Sequence, residues 1–214
     1  MTDRTDRILT THIGSLPRSP ELLDLLMKRE AGESVDEAEW DETARAATET
    51  VIRRQAEAGL DIVNNGEQPR VSFNWYVKNR LGGIGGNRDA PLWDDLRDYR
   101  DYAEDAFASD IIDLTTQPAV VEPISYTGRE AAEAEISTFY ELLDESDEEF
   151  EGTFLTAASP GTAAATLVNE AYDSHREFVF AIADALREEY ELVADSGAVL
   201  QLDAPELLAS GHRA

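Results

Sequence analysis

Four short apolar segments, each followed at once by a polar or small-residue loop, constrain the fold of this chain most strongly. The junctions between these apolar segments and their loops lie at residues 13–15, 63–67, 158–161 and 202–205. Between these segments lie longer stretches, such as residues 36–58, whose apolar residues recur at helical spacing. Alternating strands and helices predict a parallel sheet. The carboxyl ends of parallel strands form ligand sites, so we expect the four loops to meet at one site.

The individual elements follow from the same patterns. We predict strands at 8–13, 60–63, 119–128, 152–161 and 198–207. Helices are predicted from Ser19-Pro20 onward and at 36–58, 93–107, 131–143 and 171–194. The glycine-rich segment 81–86, LGGIGG, lacks the spacing of a dinucleotide-binding loop. It is therefore predicted to be a flexible excursion.

The charge of the chain excludes some partners. Asp and Glu number 45 and Lys and Arg 18, which gives a net charge of −27. Such a surface repels nucleic acid and anionic membranes, so we expect neither as a partner. The acidic residues are spread along the chain, which favours a halophilic surface, adapted to high salt, over a docking site for a basic protein.

Composition also indicates the compartment. The sequence has no cysteine, so it contains neither disulfides nor thiolate metal ligands. We find no apolar run long enough for a membrane span, and the first residues, MTDRTDR, lack the apolar core of a signal peptide. With 42% hydrophobic residues, the chain is predicted to be a single globular domain, residues 1–214, in the cytoplasm.

The strand-end loops carry groups suited to an amino-acid zwitterion. Glu67 and Asp203 directly follow apolar segments, and carboxylates so placed can bind an ammonium group. The backbone N–H groups around Gly14 and Ser15, with the Ser15 hydroxyl, can bind a carboxylate. The alternative remains open that Glu67 pairs with a nearby arginine, Arg70 or Arg18, and that Asp203 caps the following helix.

Metal binding is not predicted from the residues present. The histidines are His12, His175 and His212, and none lies at H-x-H or H-E-x-x-H spacing. His12 is therefore expected to line the pocket or to handle protons rather than to bind zinc. Further pocket-wall candidates share a position in the strand-end loops: Arg18, Asn65 and Ser159.

The segments THIGSLPR, AGLDIVNNGEQPR, ASPGT with AATL, and LQLDAPEL resemble, in order and spacing, the cobalamin-independent methionine synthase family. The resemblance is to its catalytic C-terminal-type domain and to short archaeal and bacterial relatives. It implies a (β/α)8 TIM barrel that transfers a methyl group from a methyltetrahydrofolate-type donor to homocysteine, in methionine biosynthesis. It also implies that Ile13, Gly14, Ser15, Glu67 and Asp203 bind homocysteine.

The chain differs from the family in its metal ligands. The resemblance implies zinc on the homocysteine sulfur, held by a histidine, two cysteines and a glutamate that follow the segment LQLDAPEL. Only eleven residues follow Asp203, and none is a cysteine. We therefore expect no metal ligand in this chain and an incomplete barrel, about the first half to five-eighths of the fold.

Three interpretations remain open. The first is a methyltransferase fragment that is inactive as this chain alone. The second is a half that closes its barrel with a C-terminal half chain or by self-association. The third is a metal-free module that binds an amino acid or a pterin-like ligand.

Overall fold

The computed structural model describes residues 7–89, 98–99, 101 and 116–209. The helix predicted at 93–107 falls outside these stretches except for residues 98, 99 and 101, and His212 also lies outside them. None of the described helices combines the length and the low polarity needed to cross a bilayer.

The helices begin where side chains can cap them. Ser19, Asp36 and Ser174 each accept a hydrogen bond from the backbone N–H three residues on. Gly59, at φ +73°, follows the second helix and ends it. The bounds are α1 Pro20–Glu30, α2 Glu37–Glu57, α3 Arg129–Glu145, α4 Pro160–Ala165, α5 His175–Asp195 and α6 Glu206–Ala209, with a 3-10 turn at Trp75–Asn79. The helices predicted near residues 20, 36–58 and 131–143 are confirmed, whereas α5 begins four residues later than expected.

A parallel sheet places the strand ends together. Its strands are β1 Ile62–Val63, β4 Gly152–Ala158 and β6 Val199–Asp203, in the order β1-β4-β6. Both pairings are parallel, and Ala158 lies opposite Asp203. The carboxyl ends of these strands therefore lie at one edge, as the sequence predicted.

The strand predicted at 8–13 is not formed. The N–H groups of Asp61 and Ile62 both donate to the Thr10 carbonyl, at 3.0 and 3.1 Å. The Asp61 carboxylate accepts from the Thr10 N–H and hydroxyl, at 2.6 and 2.9 Å. Because a side chain takes the N–H that a strand ladder would use, this segment runs beside β1 without becoming a strand.

A second sheet contains an antiparallel pair that was not expected. Its strands are β2 Leu81–Asp89, β3 Thr116–Tyr126 and β5 Val168–Asn169. The pair β2-β3 is antiparallel and β3-β5 is parallel. The prediction of a flexible excursion at 81–86 is therefore wrong. A Cβ on Gly83 would lie 2.7 Å from the Glu122 carbonyl oxygen, so glycine is what allows β2 to approach β3 this closely.

One core cluster lies between the parallel sheet and the helices. Leu155 of β4 packs with residues of α2, α3 and α5 in one cluster. Because side chains alternate along a strand, Thr156 faces the opposite side of the sheet, where the strand-end loops meet. The buried members of that cluster are Ile52, Val63, Phe139, Leu142, Leu155, Val193 and Ala198.

Candidate functional site

The turn after β1 holds Glu67 in a strained conformation. The side-chain oxygen of Asn64 accepts from the Gly66 N–H at 2.8 Å, and that of Asn65 accepts from the Glu67 N–H at 3.0 Å. Both Gly66 and Glu67 have positive φ, +64° and +53°. A left-handed conformation costs a non-glycine residue roughly 1–3 kcal/mol, and such strain concentrates at ligand sites.

The Glu67 carboxylate is buried but only half satisfied. The residue is 1% exposed. Its Oε1 accepts a hydrogen bond from the Thr156 hydroxyl at 2.8 Å, whereas Oε2 has no donor among the described residues. Leaving a buried acceptor unpaired costs about 1–3 kcal/mol. This atom is therefore the clearest mark of a ligand site in the described part of the chain.

Neither nearby arginine neutralises Glu67 by direct contact with its carboxylate. Arg18 donates to the Glu67 main-chain carbonyl at 2.6 Å and to the Gln68 carbonyl at 3.3 Å. The Arg70 Nε atom lies 2.9 Å from Oε1 of Glu135 instead. The ion pair that the sequence left open for Glu67 is thus replaced by contacts to the backbone and to another acid.

The first strand-end loop packs against this carboxylate at Gly14. A Cβ on Gly14 would lie 2.8 Å from Glu67 Oε1 and 2.8 Å from Thr156 Cγ2, and the residue has φ +149°. The Gly14 N–H already donates to His12 Nδ1 at 3.2 Å. Ser15 is exposed and makes no hydrogen bond with the described residues. Of the groups predicted to bind a carboxylate, the Ser15 N–H and hydroxyl are those left available.

His12 is occupied at both ring nitrogens. Because Nδ1 accepts from Gly14, the hydrogen-bond network assigns the proton to Nε2, which donates to Gln55 Oε1 at 2.8 Å. The ring also meets Phe154 edge-on, with centroids 5.7 Å apart. His12 therefore fastens the loop to α2 and offers no free nitrogen to a metal.

Asp203 is joined to the same loop through Gln201. The Gln201 amide nitrogen lies 2.8 Å from Asp203 Oδ1 and 2.6 Å from the carbonyl oxygen of Ile13, a residue that is 80% exposed. Gln201 was not among the site residues predicted from the sequence. Its signal was present in LQLD, because strand alternation places Gln201 and Asp203 on one face.

The two remaining pocket-wall candidates, Asn65 and Ser159, also have structural contacts. The Asn65 amide donates to Glu135 Oε1 at 2.8 Å, and Asn65 is 2% exposed. Ser159 caps α4 by accepting from the Thr162 N–H, and its hydroxyl donates to Glu206 at 2.7 Å. These contacts shape the loops that border the site.

A buried charge network lies behind the site and was not predicted from the sequence. Glu135 contacts Arg70 at 2.9 Å and Arg80 at 2.8 Å. Both oxygens of Glu189 accept from tyrosine hydroxyls at 2.7 Å; the donors are Tyr76 and Tyr126. Each acid interrupts the apolar stripe of an otherwise amphipathic helix, which was the available signal.

The network holds Glu135 ionised. Burial by itself would raise the pKa of Glu135, but the guanidinium groups of Arg70 and Arg80 and the Asn65 amide outweigh it. The net pKa therefore lies below its usual value. Burial and the neighbouring Glu189 both raise the pKa of Tyr76, which keeps its hydroxyl protonated as a donor.

The residues that the structure describes do not fit a zinc ion. Among the described residues, no three His, Cys, Asp or Glu side chains come together as a metal site. The sequence contains no cysteine, and both nitrogens of His12 are engaged. No chemical step through a metal is assigned to this chain.

The molecule is thus an α/β protein with mixed sheets and a cluster of polar groups where parallel strands end. Residues 8–90 match the family model described as the catalytic domain of cobalamin-independent synthase. The chain is 27% identical over 213 residues to a methionine synthase of Sulfolobus acidocaldarius, covering 97% of this chain and 54% of that one. It is 27% identical over 199 residues to the methionine synthase of Saccharolobus solfataricus, with 92% and 53% covered.

Solved structures share the fold. A B12-independent methionine synthase from Shewanella sp. W3-18-1, in complex with selenomethionine, gives a TM-score of 0.58 at 22% identity, covering 80% of this chain and 44% of that one. A putative one from Listeria monocytogenes gives 0.61 at 20% identity, covering 94% and 53%. The chain is similar to cobalamin-independent methionine synthases in sequence, as its motifs indicated. It spans about half the length of the curated relatives it matches.

Proposed function

We propose that this chain binds the amino-acid part of homocysteine or methionine, as a portion of a methyltransferase of the methionine synthase type. The observation that carries the proposal is the buried Oε2 of Glu67, which has no donor among the described residues. Further support comes from a Synechococcus relative, 37% identical over 75 residues, named 5-methyltetrahydropteroyltriglutamate–homocysteine methyltransferase. The Shewanella structure was solved with selenomethionine, itself an amino acid.

In this proposal each end of the zwitterion has its own partners. Glu67 and Asp203 bind the ammonium group through charge-assisted hydrogen bonds. Ser15, within the loop that includes Ile13 and Gly14, binds the carboxylate. Because Gly14 packs against the Glu67 carboxylate, we expect the loop to shift when the ammonium group reaches Oε2.

Methyl transfer is not assigned to this chain alone. A methyltetrahydrofolate-type donor is the proposed co-substrate of the complete enzyme, and the zinc of the family has no ligand set among the described residues. We therefore propose that the isolated chain binds substrate without turnover.

A second proposal concerns a partner that completes the fold. In the described part of the chain, β6 pairs only with β4. Val199 and Leu202 of β6 are 63% and 46% exposed, and Ile8 at the other side of the sheet is 92% exposed. Open sheet edges with apolar side chains favour association. We propose an incomplete (β/α)8 barrel, one domain over residues 1–214, that is closed by a C-terminal half chain or a second copy.

The acidic composition of the chain favours an environment of high salt concentration. With a net charge of −27, self-repulsion is least harmful where salt screens it. We therefore propose a cytoplasm of high ionic strength as the working environment, so binding and unfolding of this chain are best measured in molar salt.

Calorimetric titration of the purified chain with L-methionine tests the binding proposal, alongside metal analysis and a homocysteine methylation assay. We expect saturable binding, no stoichiometric zinc and no methionine formed. Absence of binding would overturn the amino-acid site, whereas tightly held zinc with turnover would overturn the incomplete catalytic site. Light scattering of the same sample reports self-association.

A further inference from the structure

Thr156 lies between the buried charge network and the proposed ligand site. It is near the middle of β4, is 2% exposed, and pairs in register with Gln201 of β6. Its hydroxyl donates to Glu67 Oε1 at 2.8 Å. That contact is the only hydrogen bond to the Glu67 carboxylate from the described residues.

Arg70 fixes the direction of this hydroxyl. Its NH1 group donates to the Thr156 carbonyl at 2.8 Å and to Thr156 Oγ1 at 3.3 Å. Because Oγ1 already accepts from Arg70, the threonine proton is free to point at Glu67. Arg70 is itself held by Glu135 and stacks over the Tyr76 ring at 4.3 Å.

The contact defines which carboxylate oxygen a ligand meets. With Oε1 engaged by Thr156 and packed beside Gly14, Oε2 is the acceptor that remains for a cation. A carboxylate free to rotate would offer either oxygen in several orientations, and would lose part of the benefit of a preformed site.

We propose that Thr156 is a positioning residue that sets the selectivity of this site for ligands bearing an α-ammonium group. Thr156 acts through Glu67 and does not itself touch the ligand. The inference rests on the proposed amino-acid site and adds to it the residue that orients the ammonium-binding carboxylate.

The test compares Thr156→Val, which removes the hydroxyl at nearly constant shape, with Thr156→Ser, which keeps it. Each full-length variant is titrated with L-methionine and with its desamino analogue, which retains the carboxylate and the thioether. We expect Thr156→Val to weaken L-methionine binding about tenfold, the scale of one hydrogen bond to a charged group. Thr156→Ser should stay close to the parent chain, and the desamino analogue should bind both variants as it binds the parent.

The outcomes separate this inference from the proposed function. Equal losses for both ligands in Thr156→Val would mean a merely structural role and would overturn the inference, as would unchanged L-methionine binding. If the parent chain binds no L-methionine, the proposed function fails, and the inference that rests on it fails as well. Urea unfolding of each variant accompanies the titrations to verify that it is folded.

Discussion

Two buried glutamates in this molecule have opposite surroundings. Glu135 contacts Arg70, Arg80 and an amide, and lies on a regular helix. Glu67 is more deeply buried, at 1% exposure against 9% for Glu135. Among the described residues its carboxylate has a single hydrogen-bond donor and Oε2 has none, and its backbone is left-handed. Burial alone therefore does not distinguish a structural acid from the acid that we propose binds the ligand.

The difference lies in how completely each carboxylate is satisfied. A buried charge that is fully paired stabilises the native state against loss of either partner. A buried oxygen left unpaired costs stability that a ligand can recover on binding. The comparison predicts that removing charge at Glu135 harms folding, whereas removing it at Glu67 harms binding.

The largest expected effect is on folding. Glu135→Ala leaves two buried guanidinium groups without their shared partner, so we expect a loss of about 3–5 kcal/mol in the free energy of unfolding. Glu141→Ala on the same helix is the matched control, because Glu141 is 57% exposed and pairs with Arg45 at the surface. Glu141→Ala should lower the free energy of unfolding in urea by about 0–1 kcal/mol. Similar costs for the two variants would break the comparison.

A smaller effect is expected where the loop meets Glu67. Gly14→Ala places a Cβ within 2.8 Å of the Glu67 carboxylate at φ +149°, and we expect it to cost about 2 kcal/mol and to weaken L-methionine binding. Gly32→Ala separates strain from crowding, since Gly32 has φ +74° and nothing within 4 Å of its added Cβ. Gly32→Ala should lower the free energy of unfolding by about 1 kcal/mol and leave L-methionine binding unchanged. A binding defect in Gly32→Ala would contradict this assignment.

A still smaller effect is the pH dependence of folding. In the folded chain the pKa of Glu135 lies below its ordinary value of 4.5. The contribution of Glu135 to the free energy of unfolding is therefore fully present above that ordinary value. The contribution is lost as the pH falls through the folded-state pKa. Chemical unfolding should show that the free energy of unfolding declines between pH 6 and about pH 3. The decline should be smaller in Glu135→Gln. An identical slope in parent and variant would mean that Glu135 is not held ionised by the arginines.

Local patterns carried the sequence predictions that succeeded. Ser19 before Pro20 marks a helix start through contacts three residues away, and the ends of β4 and β6 follow from short apolar runs. These signals lie within a few residues, so the sequence alone contains them.

Contacts between distant segments explain what the sequence did not predict. Glycines at 81–86 form a strand only because β3 lies beside them. Arg70 meets Glu135 across 65 positions, and His12 meets Gln55 across 43. The position of Glu67 was predictable from its place after β1, but its unpaired oxygen depends on where these arginines go instead.

Glu67→Gln tests the central claim most directly. The variant keeps an oxygen that can accept from Thr156 but removes the charge that the proposed ammonium group requires. Calorimetric titration with L-methionine should show a loss of about a hundredfold in affinity, while urea unfolding shows a chain at least as stable as the parent. Unchanged affinity, or a loss of stability as large as that of Glu135→Ala, would contradict the account.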